Sequence, residues 1–79
     1  ALEPLMRVEI TTPEDFLGAA INLFTSCGGK VEELEDHGGR KLLRGTAPLR
    51  RLFGFSTALR SATQGRAGLV LSFARFDLP

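Results

Sequence analysis

From Leu5 the chain alternates, with Met6, Val8 and Ile10 apolar against Arg7, Glu9 and Thr11 polar. A period of two predicts a strand with one face buried. The period then lengthens: Leu17, Ala20, Ile21, Phe24 and Cys27 fall on one stripe at helical spacing. The segment before that stripe, "TTPED", predicts the helix start. Thr12 is placed to cap it by accepting from the Asp15 amide, Pro13 has the φ of a first helical residue, and Glu14 and Asp15 suit the positive helix end. Gly28-Gly29 supplies the left-handed residue that stops the helix.

In "KVEELED", Val31 and Leu34 differ in parity, so this strand needs a bulge or an early end, and its acids suit an exposed edge. "DHGG", Asp36 to Gly39, is rich in residues that tolerate positive φ and predicts a hairpin turn into "RKLLRGTA", with His37 in the turn. After Pro48, Leu52, Phe55, Leu59 and Ala62 form a second apolar stripe, opposite Arg50, Thr57, Arg60, Ser61 and Gln64. Phe53 falls toward the polar side. Either Gly54 breaks the phase and the helix begins after it, or Phe53 is an exposed anchor. Gly65 is expected to end this helix in a left-handed conformation. From Ala67 to Ala74 both alternating sets are largely apolar, which predicts a strand that is buried or abuts something.

The order β-α-β-β-α-β predicts an α+β fold, a ferredoxin-like sandwich with a four-stranded antiparallel sheet in the order 4-1-3-2 and both helices on one face. A chain of 79 residues allows one such domain and leaves no segment for a linker or repeat.

Composition adds an asymmetry. Residues 1–39 hold eight acids against two bases, and residues 40–79 hold eight bases against Asp77 alone, so a net charge of +1 is split as −6 and +7. A solvated patchy surface or a phosphate-rich partner would each account for this. One cysteine excludes an internal disulfide and suits a reducing compartment, with the cytoplasm as the expectation. No apolar run approaches the roughly 18 residues of a membrane span, so a membrane is not expected among the partners.

The chemistry inventory is thin. "CGGKVE" lacks the first glycine and the hydroxyl of a P-loop. A lone His37 and a lone Cys27 cannot build a zinc site, and no serine has a histidine at recognisable spacing. Glu32, Glu33, Glu35 and Asp36 lack the alternation and central glycine of a calcium loop. An RNA-recognition module would carry aromatics on its third strand, where "RKLLRGTA" has leucines. What remains is a basic set without aromatic interleaving, namely Arg40, Lys41, Arg44, Arg50, Arg51, Arg60 and Arg66, able to hold a nucleic-acid backbone by charge.

The segments "LEPLMRVEI", "TPEDFLGAAI" and "APLRRLFGFSTALRSATQGRAG", with "VEELEDHGGRKLLRGTAPL" between them, resemble the C-terminal, fifth domain of elongation factor G and its paralogues over nearly the whole chain. The resemblance implies a fragment without catalysis or cofactor of its own, at the end of a longer GTPase that binds GTP and magnesium elsewhere. Its expected partners are the large ribosomal subunit, through rRNA and the stalk-base region, and other domains of the parent. Its expected roles are binding and lever action in translocation, or docking in a paralogue that acts in ribosome recycling or protection. "LRSATQGRAG" matches the family motif, so Arg60, Gln64, Gly65 and Arg66 are the expected contact residues, with Arg44, Arg50 and Arg51 beside them. Three departures are a neutral "FTSCGG" where relatives often carry arginines, an Arg50-Arg51 pair where they more often have small or acidic residues, and the ending "FARFDLP" where a longer aromatic and charged ending is expected.

Overall fold

A computed structural model describes all 79 residues, Ala1–Pro79. The elements are β1 (Glu3–Pro13), α1 (Leu17–Ser26), β2 (Lys30–His37), β3 (Arg40–Pro48), α2 (Phe55–Ala62) and β4 (Gly68–Asp77), with short 3₁₀ turns at Glu14–Phe16 and Leu49–Arg51. The strands pair antiparallel in the order β2-β3-β1-β4, which is the expected 4-1-3-2 order counted from the other edge. Val8, Ile10, Leu43 and Ala47 on one side of the sheet pack with Ala20 and Phe24 of α1 and with Leu52, Phe55 and Leu59 around α2. The result is the expected α+β ferredoxin-like sandwich.

Phe24 sits at the centre of this core. Its ring meets Phe55 edge to face, with centroids 6.3 Å apart, and so joins the two helices. On the sheet side it rests against bare backbone. A Cβ at Gly29 would lie 2.7 Å from Phe24 Cδ1, and one at Gly45 would lie 2.9 Å from Phe24 Cε2 and overlap the Lys30 carbonyl oxygen.

Several local expectations are corrected. Thr12 does not cap a helix: β1 continues through Pro13, and Thr12 shares the inward face of Val8 and Ile10, fully buried, its hydroxyl donating to the Pro13 carbonyl. The strand alternation outweighs the local capping signal, and α1 begins only at Leu17 after the 3₁₀ turn. His37 is the last residue of β2 instead of a turn residue, because Gly38 and Gly39, both at positive φ, make the turn by themselves. Ala62 is exposed, and Thr63 takes the expected inward position. Gly54 does break the phase: at φ +81° it is the residue before α2, and it leaves Phe53 outside the helix and 81% exposed. The register of β2 shifts between Val31 and Glu33, the bulge its parity required, and β2 forms one edge of the sheet. Within this chain β4 is not buried. It forms the other edge, and Val70, Leu71, Phe73 and Phe76 along it are exposed.

Adding a methyl at Gly45 should force Phe24 or the β2–β3 pairing to move. Gly45→Ala is expected to cost about 1–3 kcal/mol, measured by urea denaturation, and a variant with wild-type stability would contradict the close approach described above.

Candidate nucleic-acid interface

Strand register assigns the basic residues to two ends of the sheet. Arg40 pairs with Pro13 and Gly68 with Thr11, so the β2–β3 turn, the start of α1 and the loop after α2 meet at one end, here the turn end. Pro48 pairs with Leu5, which puts Arg50 and Arg51 at the opposite end, about 26 Å away by strand rise. The expected contact residues are therefore split. Arg60, Gln64, Gly65 and Arg66 come together at the turn end, Arg50 and Arg51 do not join them, and Arg44 lies between, on the face of the sheet away from the helices.

Their charge is also divided. Arg44 Nε donates to Glu9 Oε2 at 2.7 Å and Nη1 donates to Glu35, so its charge is met twice. The bond from Glu9 and the field of Glu35 hold the Arg44 pKa above its ordinary value. His37 Nε2 lies 2.8 Å from Glu35 Oε1, and this bond, followed by Arg44, lowers the Glu35 pKa. Lys41 reaches Asp36 at 3.1 Å and Glu14 at 3.5 Å, and its pKa is raised, chiefly by Asp36. Arg50 Nε donates to Glu3 Oε2 at 2.8 Å. Arg51 donates to the Ser26 carbonyl at 2.9 Å, where a cation suits the negative end of α1.

The turn end differs. Arg60 is exposed on α2 and enters none of the side-chain hydrogen bonds or ion pairs that hold Arg44, Arg50, Arg51 and Lys41. The Arg66 guanidinium lies 6.0 Å from the centroid of the Phe16 ring, a cation–π contact that leaves its charge uncancelled. Phe16 therefore brings an aromatic to a basic set that has none interleaved along the sequence. Its signal in the sequence was an aromatic one residue off the α1 stripe.

The loop that carries these groups is held from inside. Buried Thr63 donates from its hydroxyl to the Leu59 carbonyl at 2.7 Å and accepts from the Ala67 amide at 3.3 Å. The helix end itself is a Schellman turn. The Gly65 amide donates to the Arg60 carbonyl at 2.7 Å and the Gln64 amide to the Ser61 carbonyl at 3.4 Å. Gly65 is left-handed as expected, at φ +74°, but it is the second such residue: Gln64 precedes it at φ +54°. α1 ends with the same bonds, from Gly29 to Phe24 and from Gly28 to Thr25, and there the corresponding residue is Gly28. Thr63 was missed because a polar residue after the helical stripe carries no burial signal.

No helix is long and apolar enough to cross a membrane, and no group of three or more His, Cys, Asp or Glu residues is placed to hold a metal.

Comparison with known proteins gives consistent matches. The family model described as "Elongation factor G C-terminus" matches residues 1–78. Elongation factor G 1 of Syntrophomonas wolfei is 49% identical over 76 residues, 96% of this chain. Elongation factor G 1 of Treponema denticola is 42% identical over 77 residues, 98% of this chain. The chain spans 11% of the length of each of these relatives.

A side chain with a Cβ at the left-handed position costs backbone energy that glycine avoids. Gln64→Gly should therefore stabilise the fold by roughly 0.5–1 kcal/mol, read as a rise of a few degrees in melting temperature. A lower melting temperature would show that the Gln64 side chain contributes more to stability than its backbone costs.

Proposed function

We propose that this chain, which belongs to the elongation factor G C-terminus family, is the ribosome-contacting C-terminal domain of a translational GTPase. In this reading the parent binds GTP and magnesium in another domain and works in the cytoplasm. The present chain supplies binding to the large subunit, at rRNA and the stalk base, and transmits movement during translocation. It contributes no catalytic group.

The observation that carries the reading is that Arg60 and Arg66, at the turn end, meet no carboxylate. Lys41, Arg44 and Arg50 are met by carboxylates, whereas Arg60 and Arg66 are not. Cations of this kind hold phosphates by releasing counterions and position a protein on RNA without reading bases. Gln64, at a left-handed position where α1 uses glycine, supports the same surface, since costly backbone geometry concentrates at functional sites. Arg44, Arg50 and Arg51 belong to the proposal as supporting residues that organise the sheet face and the opposite end.

Replacing Arg60 and Arg66 by alanine in the full-length parent should weaken ribosome binding and reduce the salt dependence of log K by about one for each phosphate that is no longer neutralised. Wild-type affinity and slope in a binding titration across salt concentrations would reject this surface.

A second reading is favoured by β4. Phe73 and Phe76 are 55% and 60% exposed with ring centroids 5.1 Å apart, beside exposed Leu71. In a paralogue that acts in recycling or protection of ribosomes, this edge, with Phe53, docks against another domain of the parent. Phe53→Ser combined with Phe73→Ser should then open new sites to limited proteolysis in the parent, and an unchanged cleavage pattern would remove the reading.

A further inference from the structure

The sheet face away from the helices carries one polar row that crosses all four strands. Arg7 of β1 pairs with Ser72 of β4 and with Thr46 of β3, and Thr46 pairs in turn with Lys30 of β2. Directly paired residues share a face, and Arg7 alternates with the buried Val8, so the whole row points away from the core. Neighbouring strands are about 4.8 Å apart, which sets Arg7 and Lys30 roughly 10 Å from each other. Thr46 between them is only 5% exposed and makes a neutral floor. These two are the only cations among residues 1–39, where eight acids are available to them. Both are nevertheless exposed and enter no side-chain hydrogen bond or ion pair, whereas Lys41, Arg44 and Arg50 each hold a carboxylate. Glu9, the acid next along this face of β1, is already committed to Arg44 at 2.7 Å.

We propose that this row docks an acidic segment of a protein, with carboxylates meeting Arg7 and Lys30 and the exposed Ser72 hydroxyl donating beside Arg7. Charge complementarity selects the partner. Glu33, exposed and paired in register with Arg44, sets a negative charge on the same face one row away. Such a charge repels the uniform backbone of a nucleic acid but can receive a cation from a polypeptide of mixed charge. The row also has no aromatic on which an unpaired base could stack. This surface is distinct from the turn end, since Arg7 lies about 13 Å along β1 from Thr11 by strand rise. It therefore stands or falls independently of the contact assigned to Arg60 and Arg66.

The test uses the full-length parent with a decaglutamate peptide and, in parallel, a uridylate dodecamer, at low salt where surface charges are least screened. Carbodiimide coupling, which joins an amine directly to a carboxylate, should link the peptide to Lys30, as read by mass spectrometry. Arg7→Ala should lower the yield of that link, and Arg7→Lys, which keeps the charge, should preserve it. Replacing both Arg7 and Lys30 by alanine should weaken the peptide roughly five- to tenfold, as expected for two exposed ion pairs, and leave dodecamer binding unchanged. Absence of a link at Lys30, or unchanged peptide affinity in the double variant, overturns the proposal. An equal loss of dodecamer binding also overturns it, by assigning the face to nucleic acid. The parent with Arg60→Ala and Arg66→Ala should keep the Lys30 link. Loss of the link there would place the peptide at the turn end and overturn the proposal as well.

Discussion

The fold depends on how closely one aromatic ring approaches backbone. Phe24 reaches the sheet because Gly29 and Gly45 have no side chain, and it reaches α2 through the edge of Phe55. One side chain thereby ties together α1, the entry to β2, the middle of β3 and α2. A core of this size has few large side chains, and burying a phenylalanine is worth about 1.5–3 kcal/mol. Its close fit sets the position of α1 on the sheet, and the Arg51 bond to the Ser26 carbonyl fixes the end of that helix to the chain entering α2.

The two helix ends show what that scaffold supports. Both close with the same pair of hydrogen bonds, yet one places Gly28 and the other Gln64 in the left-handed position. Gly28 is the lower-energy choice. The second end is stabilised by Thr63, whose buried hydroxyl bridges helix and loop, so a local backbone cost at Gln64 is offset beneath the exposed side chain. Held this way, Arg60 and Arg66 project from a hydrogen-bonded turn, which would lower the entropy lost in the proposed contact.

Much of the architecture was legible because burial repeats. The alternation from Met6 to Ile10, the stripe from Leu17 to Phe24, the bulge in "KVEELED" and the phase break at Gly54 all translate directly into elements. Expectations failed where two local signals compete. Thr12 has the composition of a helix cap, but its parity with Val8 and Ile10 places it in the core. Gly65 is left-handed at the helix stop as expected, but Gln64, which carries no such signal, enters the turn one residue earlier. The proposed contact surface was visible in the sequence only as a motif and a charge count, because no spacing rule tells which arginine meets a carboxylate from a distant strand. Arg44 and Glu9 are 35 residues apart and directly opposite each other in the sheet.

That pairing changes the meaning of the charge asymmetry. Along the chain an acidic half precedes a basic half, yet antiparallel pairing lays the first half against the second, so Arg44 meets Glu9 and Glu35, Lys41 meets Asp36, and Arg50 meets Glu3. Three of the eight cations in the basic half are held in this way by acids of the first half. Of the cations that meet no carboxylate, three lie at the turn end, where Arg40 finds only neutral acceptors, Arg66 finds an aromatic face, and Arg60 stands on the outer side of α2, while Arg51 meets the Ser26 carbonyl at the opposite end and Arg7 and Lys30 lie on β1 and β2. The formal asymmetry along the chain is thus reduced by the pairing, and Arg40, Arg60 and Arg66 at the turn end keep their charge. Localised charge on a rigid turn favours a defined docking orientation on a phosphate-rich partner over diffuse attraction.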